Sequence, residues 1–231
     1  MRTVPAEDVP LALAELHRTL EVGAQVELSL DGTDLDPQRI DDLLTGAGFT
    51  EVEMAETDEG HWEVQATRAR TLPDTVGPAM HVLICGLNPS LYAADAGVGF
   101  ARPGNRFWPA ATQVGLVAQD RDPYDALANF RVGMTDLVKR ATAAASELTA
   151  AEYQAGAERV GRLVAWLEPE AVCFVGLAGW RAAFDRKAAP GWQDQGIGDR
   201  PAYVMPSTSG LNARTPVSEL AEHLRRAAVG P

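Results

Sequence analysis

The sequence predicts an α/β protein: a larger domain around a mostly parallel central sheet, preceded by a small α+β unit. Three observations carry this. Apolar runs at residues 81–86, 171–176 and 203–206 lack polar alternation, as strands buried on both faces do, and helical segments lie between them. Residues 1–75 hold 5 Lys/Arg against 17 Asp/Glu, a net charge of -12, whereas residues 76–231 hold 15 of each. Such an asymmetry marks two units. Pro73, Gly77 and Pro78 punctuate the stretch between them.

Residues 9–20 place Val9, Leu11, Leu13, Leu16 and Leu20 at roughly helical spacing, and Gly23 closes that helix. Residues 25–30 alternate as a strand, followed by the turn signal Asp31, Gly32. Residues 38–46 form a second helix, stopped by Gly46 and Gly48. Two short strands follow at 51–54 and 61–67, around the turn Asp58, Glu59, Gly60. Residues 1–70 are thus an acidic accessory unit, 71–79 a linker and 80–231 the main domain. There, a strand at 81–86 leads into a loop up to Asn105, and Asn105 caps a helix from Phe107. Thr149 and Glu152 form a capping box for a helix ending at Pro169. A strand at 171–176, a helix from Gly179, a strand at 203–206 and a last helix complete the chain; Thr215 caps that helix and Pro216 opens it.

Ligands of such sheets bind beyond the carboxyl ends of the strands. Three loops qualify: 86–106, 176–180 and 206–214. No apolar stretch is long enough to span a bilayer, and Met1 to Pro5 show no apolar targeting region. Cys85 and Cys173 lie in apolar runs, so buried free thiols and a cytoplasmic location are expected. The four histidines have no ligand spacing, and neither a Walker loop nor a dinucleotide fingerprint occurs, so no metal and no cofactor are expected.

Two loops carry the chemistry. The first runs Gly86, Leu87, Asn88, Pro89, Ser90, Leu91 and on to Phe100, Arg102, Asn105, Arg106, Phe107 and Trp108. The second runs Pro206, Ser207, Thr208, Ser209, Gly210, Leu211, Asn212, Ala213, Arg214. Together they resemble the two active-site motifs of the mismatch-specific uracil/thymine DNA glycosylases, a branch of the uracil-DNA glycosylase superfamily. The likeness spans roughly residues 80–226. It implies a three-layer uracil-DNA-glycosylase-like domain. It also implies a monofunctional base-excision repair enzyme that flips uracil, thymine or a damaged pyrimidine out of a G·U or G·T mismatch in double-stranded DNA. Lys139 and Lys187 lie outside both motifs, so no lysine is placed to attack the sugar.

Such an enzyme must hold the extruded base, stabilise its developing negative charge and place one water. The resemblance gives Asn88 the water, through its amide oxygen; alternatively Asn88 only forms an Asx turn before Pro89. Gly86, Leu87, Pro89, Ser90, Leu91 and Thr135 are its implied pocket, with backbone N–H groups of Ser90 and Leu91 donating to the base. Ser90 stands where the family usually has Gly, and can add a hydroxyl donor. Phe100 is at the base-stacking position, or is a core phenylalanine. Arg102 and Arg106 contact phosphate, or are solvated surface arginines. Pro206, Ser207, Thr208 and Ser209 match the phosphate-contacting segment, and Gly210 with Leu211 matches the wedge that fills the hole left by the base. The second loop is one residue longer than in the bacterial family form, which leaves Leu211, Asn212 or Arg214 as the wedge. Gly133 to Val138 resemble a third segment, where Asp136 replaces the Lys or Asn of relatives. Asp136 either lies near Asn88 and adjusts the site or is a surface acid.

Residues 12–20, Gly23 and residues 46–49 resemble the last third of class I methyltransferases. With no Gly-rich methyl-donor loop before it, the unit reads as an accessory fragment that gates the DNA face or recruits a partner. Two other readings stand beside the glycosylase: a non-catalytic DNA-binding or protein adaptor retaining the fold, and an enzyme acting on free nucleosides. A monomer is expected.

Overall fold

The computed structural model describes residues 6–31, 35–58, 60–212 and 214–231. Met1 to Pro5, Gly32 and Glu59 of the two turn signals, and Ala213 of the second loop lie outside the described residues.

In the first unit, α1 (Val9–Thr19) and α2 (Pro37–Ala47) pack on a three-stranded antiparallel sheet of β1 (Gln25–Asp31), β2 (Phe49–Glu56) and β3 (His61–Arg68), in the order β1-β3-β2. Asp36 caps α2 by accepting from the Arg39 N–H, and Pro37 supplies its first turn. Gly48 ends it with φ of 88°; a side chain there would strike His17 and Thr71, so only glycine fits.

The main domain is built on β4 (Val82–Gly86), β5 (Val132–Asp136), β6 (Ala171–Val175), β7 (Gly191–Trp192) and β8 (Ala202–Met205). Their order is β5-β4-β6-β8-β7, parallel except for β7. The unbroken apolar runs follow from burial on both faces. Leu83, Cys85, Val172 and Phe174 enter one core, while Val82, Ile84, Cys173 and Tyr203 enter the other. The two cysteines therefore point to opposite faces as free thiols. Helices α3 (Leu91–Ala96), α4 (Phe107–Gln113), α5 (Pro123–Phe130), α6 (Ala150–Leu167) and α7 (Leu177–Ala183) connect the strands, and α8 (Val217–Val229) follows the last of them. The Thr149–Glu152 capping box opens α6 as expected. Thr215 does not cap α8: Pro216 holds that position, and Thr215 Oγ1 accepts from Asn212 Nδ2 instead.

The stretch 71–79, expected as a linker, is packed. Thr71, Asp74, Thr75 and Val76 are buried, and Thr75 exchanges two backbone hydrogen bonds with Met134 of β5. The first unit shares its core with the main domain, Leu13, Ile40 and Leu44 clustering with Val160, Leu163 and Val164 of α6. Arg162 grips Asp42 through two bonds of 2.6 and 2.8 Å, and Arg39 lies over the Trp166 ring. Just before Thr71, Arg70 grips Asp95 on α3 through bonds of 2.7 and 2.6 Å.

Candidate active site

Beyond the end of β4 the chain stays zipped to the segment after β5. Leu137 and Val138 N–H groups donate to the Gly86 and Leu87 carbonyl oxygens at 2.9 and 3.0 Å, and the Thr142 N–H to that of Pro89 at 3.1 Å. Leu87 also packs its side chain against Gly179 of α7. This zipper holds Asn88 in one orientation. Its Nδ2 donates to Thr142 Oγ1 at 2.8 Å, to the Arg140 carbonyl oxygen at 3.0 Å and to the Pro89 carbonyl oxygen at 3.2 Å. Carbonyl oxygens only accept, so the end facing them is the NH2, and Oδ1 is the end of the amide left to bind a ligand. The clamp is more than an Asx turn, because two of its partners lie over fifty residues away.

One expected donor, the Leu91 N–H, is taken up within the structure, and Ser90 gains a second role. The Leu91 N–H is directed at the Thr142 carbonyl oxygen at 3.3 Å, so it is not free for a base. Ser90 Oγ caps α3 by accepting from the Ala93 N–H at 3.1 Å. That is what Ser contributes here in place of Gly.

Phe100 is held with φ of 58°, a left-handed conformation costly for a bulky side chain. Its ring stacks on Phe107 at 4.3 Å between centroids and lines a hollow shared with Tyr124, Met134, Thr135 and Asp136. Thr135 is buried, its hydroxyl donating to Asp74 at 2.7 Å. Asp74 also accepts from Lys139 and Arg159, each at 2.7 Å. Burial works against its charge, but Arg159 and Lys139 outweigh it and hold the carboxyl below the usual range. Asp136 is different. Burial pushes its carboxyl up to about 6; Asp74 adds to this, and Lys139 and Arg159 only partly oppose it.

The two predicted loops meet. The Arg106 N–H donates to the Thr208 carbonyl oxygen at 2.9 Å, and Gly210 packs so closely on the Gly104 carbonyl that a side chain would crowd it. The Arg106 guanidinium donates to the carbonyl oxygens of Thr215 at 2.5 Å, Ser209 at 3.0 Å and Asn212. Arg106 is thus a staple between loops, correcting both readings of it as a phosphate contact or a solvated arginine. Asn105 accepts from the Phe107 N–H, but Arg106, not Asn105, holds the cap position of α4.

Within the second loop, Ser207 and Ser209 hydroxyls accept from the N–H groups of Ser209 and Leu211, both at 3.3 Å. Thr208 is buried and Pro206 half-buried. Asn212 Nδ2 donates to the Ser207 carbonyl oxygen and to Thr215, so Asn212 braces the loop from within. Leu211 is 88% exposed at its tip. Arg102 and Arg214 are exposed and make no ion pair among the described residues. Of the three wedge candidates, geometry leaves Leu211 and Arg214 free to move outward.

Sequence reading missed Thr142 and Arg140, which clamp Asn88, and Asp74, which organises the polar group behind Thr135. The sequence model of the uracil DNA glycosylase superfamily matches residues 73–227. The chain belongs to the uracil DNA glycosylase superfamily. The match includes the packed stretch from Pro73 onward, and so includes Asp74. Membership makes the chain a DNA glycosylase of base-excision repair, a hydrolase of N-glycosidic bonds that acts on DNA. Among the described residues, no group of three or more His, Cys, Asp or Glu side chains is placed to hold a metal ion.

Proposed function

We propose that this glycosylase removes uracil, and with it thymine or damaged pyrimidines, mispaired with guanine in double-stranded DNA. The observation that carries the reading is the Asn88 amide, whose nitrogen is tied to three acceptors and whose oxygen is left to bind. An amide oxygen holds a water by accepting its hydrogen bond but is a very poor base. Such a site therefore relies on stabilising the leaving base and acts best on bases that leave easily. Leu211 enters the stack as the base swings out onto Phe100, and a mismatch makes that opening cheapest. Lys139 is bound to Asp74, which supports a monofunctional enzyme that leaves an abasic site. The first unit acts as a fixed wall of the domain, as their shared core supports.

The test is a G·U duplex incubated with the protein and then treated with alkali. Strand cleavage that disappears in Asn88→Ala supports the reading. A strand left intact at excess enzyme returns the chain to the adaptor reading, and activity on nucleosides without a duplex to the third.

A further inference from the structure

The segment that clamps Asn88 is itself held from the first unit. Asn88 Nδ2 donates to the Arg140 carbonyl oxygen and to Thr142 Oγ1. One residue earlier, the Lys139 carbonyl oxygen accepts a hydrogen bond from Thr71 Oγ1. Peptide planes are rigid, so only the φ and ψ of Arg140 separate the peptide that Thr71 holds from the carbonyl that holds Asn88. Arg70, the neighbour of Thr71, donates to Asp95 through bonds of 2.7 and 2.6 Å. Asp95 lies on α3, the helix that Ser90 caps directly after the Asn88 loop. Residues 70 and 71 thus grip the chain on both sides of the Asn88 clamp.

These two residues are fixed in turn by the end of α2. The Ala69 N–H donates to the Gly48 carbonyl oxygen at 2.9 Å, and the Asp74 N–H to that of Gly46 at 2.8 Å, so the chain is anchored on either side of them. Thr71 is buried, and its Cγ2 lies 2.7 Å from where a Gly48 side chain would begin. The methyl is lodged against that glycine, and the hydroxyl is turned to Lys139. The Lys139 side chain is held by Asp74 at 2.7 Å, so that residue is fixed at its ammonium and at its carbonyl. The superfamily match begins at Pro73, so Arg70 and Thr71 both lie outside it.

An amide oxygen places a water only as well as the amide itself is placed, and a misplacement of about 1 Å at a reacting group costs about a hundredfold in rate. We propose that Thr71 is a positioning residue for Asn88, with Arg70 as the second grip, and that through them the first unit sets the rate of base release. The proposal rests on the water-placing reading of Asn88 given above. Thr71 acts through the 139–142 segment. Without its hydroxyl the Lys139 carbonyl loses its donor, and the segment relaxes toward water, carrying the Arg140 carbonyl oxygen and Thr142 with it. Arg70 acts through α3, whose first turn continues the Asn88 loop.

The experiment measures single-turnover cleavage of a G·U duplex by the whole chain across enzyme concentrations. Thr71→Val keeps the methyl against Gly48 and removes the hydroxyl. It should lower the plateau rate about fivefold and leave the half-saturating enzyme concentration unchanged. Thr71→Ser returns the hydroxyl and should return the rate. Thr71→Val joined to Thr142→Val should lose less than the product of the two single losses, because both act on one amide. Arg70→Gln and Asp95→Asn break the exposed pair with opposite changes of charge. Both should slow the plateau rate about twofold, whereas a plain electrostatic effect on DNA would move them in opposite directions. Should Thr71→Val fail to fold, these two variants decide: slowing in both supports the brace, and unchanged rates or opposite shifts overturn it. A wild-type plateau in Thr71→Val, or a Thr71→Ser as slow as Thr71→Val, overturns the proposal while leaving Asn88-dependent cleavage standing. Cleavage by Asn88→Ala at the wild-type rate sinks the reading of Asn88, and this proposal with it.

Discussion

Arg106, at the end of the first active-site loop, donates from Nη2 to the carbonyl oxygen of Ser209 in the last, 3.0 Å away. With its bonds to Thr215 and Asn212, one guanidinium sets the distance between the loop that carries Asn88 and the loop that carries Leu211. Arg suits this role because its planar fork offers five donors and never loses its charge. Truncation strands three carbonyl groups, and each unmet partner costs about 1–3 kcal/mol when buried. Arg106→Ala should lower stability by about 2 kcal/mol and open the 206–214 loop to proteolysis. The salt dependence of DNA binding separates a staple from a phosphate contact. A lost phosphate contact reduces the slope of log K against log salt by about 0.9. Arg102→Ala should do so, and Arg106→Ala should weaken binding with the slope unchanged. A reduced slope in Arg106→Ala would return it to the phosphate.

The clamp on Asn88 predicts that a stronger base would fail there. In Asn88→Asp an oxygen replaces the NH2 that faces the Arg140 and Pro89 carbonyl oxygens, so acceptor meets acceptor. Either the loop twists and the water is lost, or the carboxyl takes a proton to donate to those oxygens and is then no stronger a base than the amide. Asn88→Asp should therefore cleave a G·U duplex more slowly than wild type. Thr142→Val, nearly equal in shape, removes one of the three acceptors. A loss of about 1 kcal/mol in orientation corresponds to about fivefold in single-turnover rate. Faster cleavage by Asn88→Asp would show that the clamp does not govern the site.

Much of this site was legible because its side chains sit in short, ordered motifs. The strand carrying Gly86 follows from local pattern, and Phe100 was singled out by the family resemblance. What stayed hidden depends on backbone acceptors, which leave no trace in composition. Arg106 resembles a phosphate-binding arginine because its partners are carbonyl groups 103 residues or more away. Asn88 is fixed by the Arg140 carbonyl for the same reason. Strand β5 escaped because Gly133 breaks its apolar run. That glycine makes room for Met80, whose sulfur would lie 2.1 Å from a side chain there. The stretch 71–79 looked like a linker because Pro73, Gly77 and Pro78 punctuate it. The burial of Asp74 is made possible by Lys139 and Arg159, which lie far off in sequence.

Leu211 stands exposed with its N–H bound to Ser209 Oγ, so the loop presents it without packing it. A side chain that touches little in the free protein contributes little to folding, and Leu211→Ala should shift stability by less than about 0.5 kcal/mol. Its work lies in the opened duplex, where an apolar group replaces lost stacking. Cleavage of a G·U duplex should fall about tenfold in Leu211→Ala, whereas cleavage of uracil in a single strand should be unchanged, since no hole needs filling there. An equal loss on both substrates would assign the wedge elsewhere, with Arg214 next to be tested.

His17 gives the fold an acid limit set by the junction of the two units. It is 1% exposed, its Nε2 lies 3.2 Å from the Ala69 carbonyl oxygen, and Nδ1 is buried without a partner among the described residues. Burial first, and then the charge of Arg68, lower its pKa to about 4. Between about pH 6.5 and about pH 4 the unfolded chain therefore binds a proton that the folded chain refuses. The stability that neutral His17 contributes is complete above the unfolded pKa and lost as pH falls toward 4. The whole effect is on the order of 3 kcal/mol, and roughly 2 kcal/mol of it falls between pH 7 and pH 5. His17→Gln keeps a donor for Ala69 but does not titrate. In urea unfolding at the two pH values, wild type should lose roughly 2 kcal/mol more than His17→Gln. Equal losses would mean that His17 charges within the folded protein and that the junction opens to admit water.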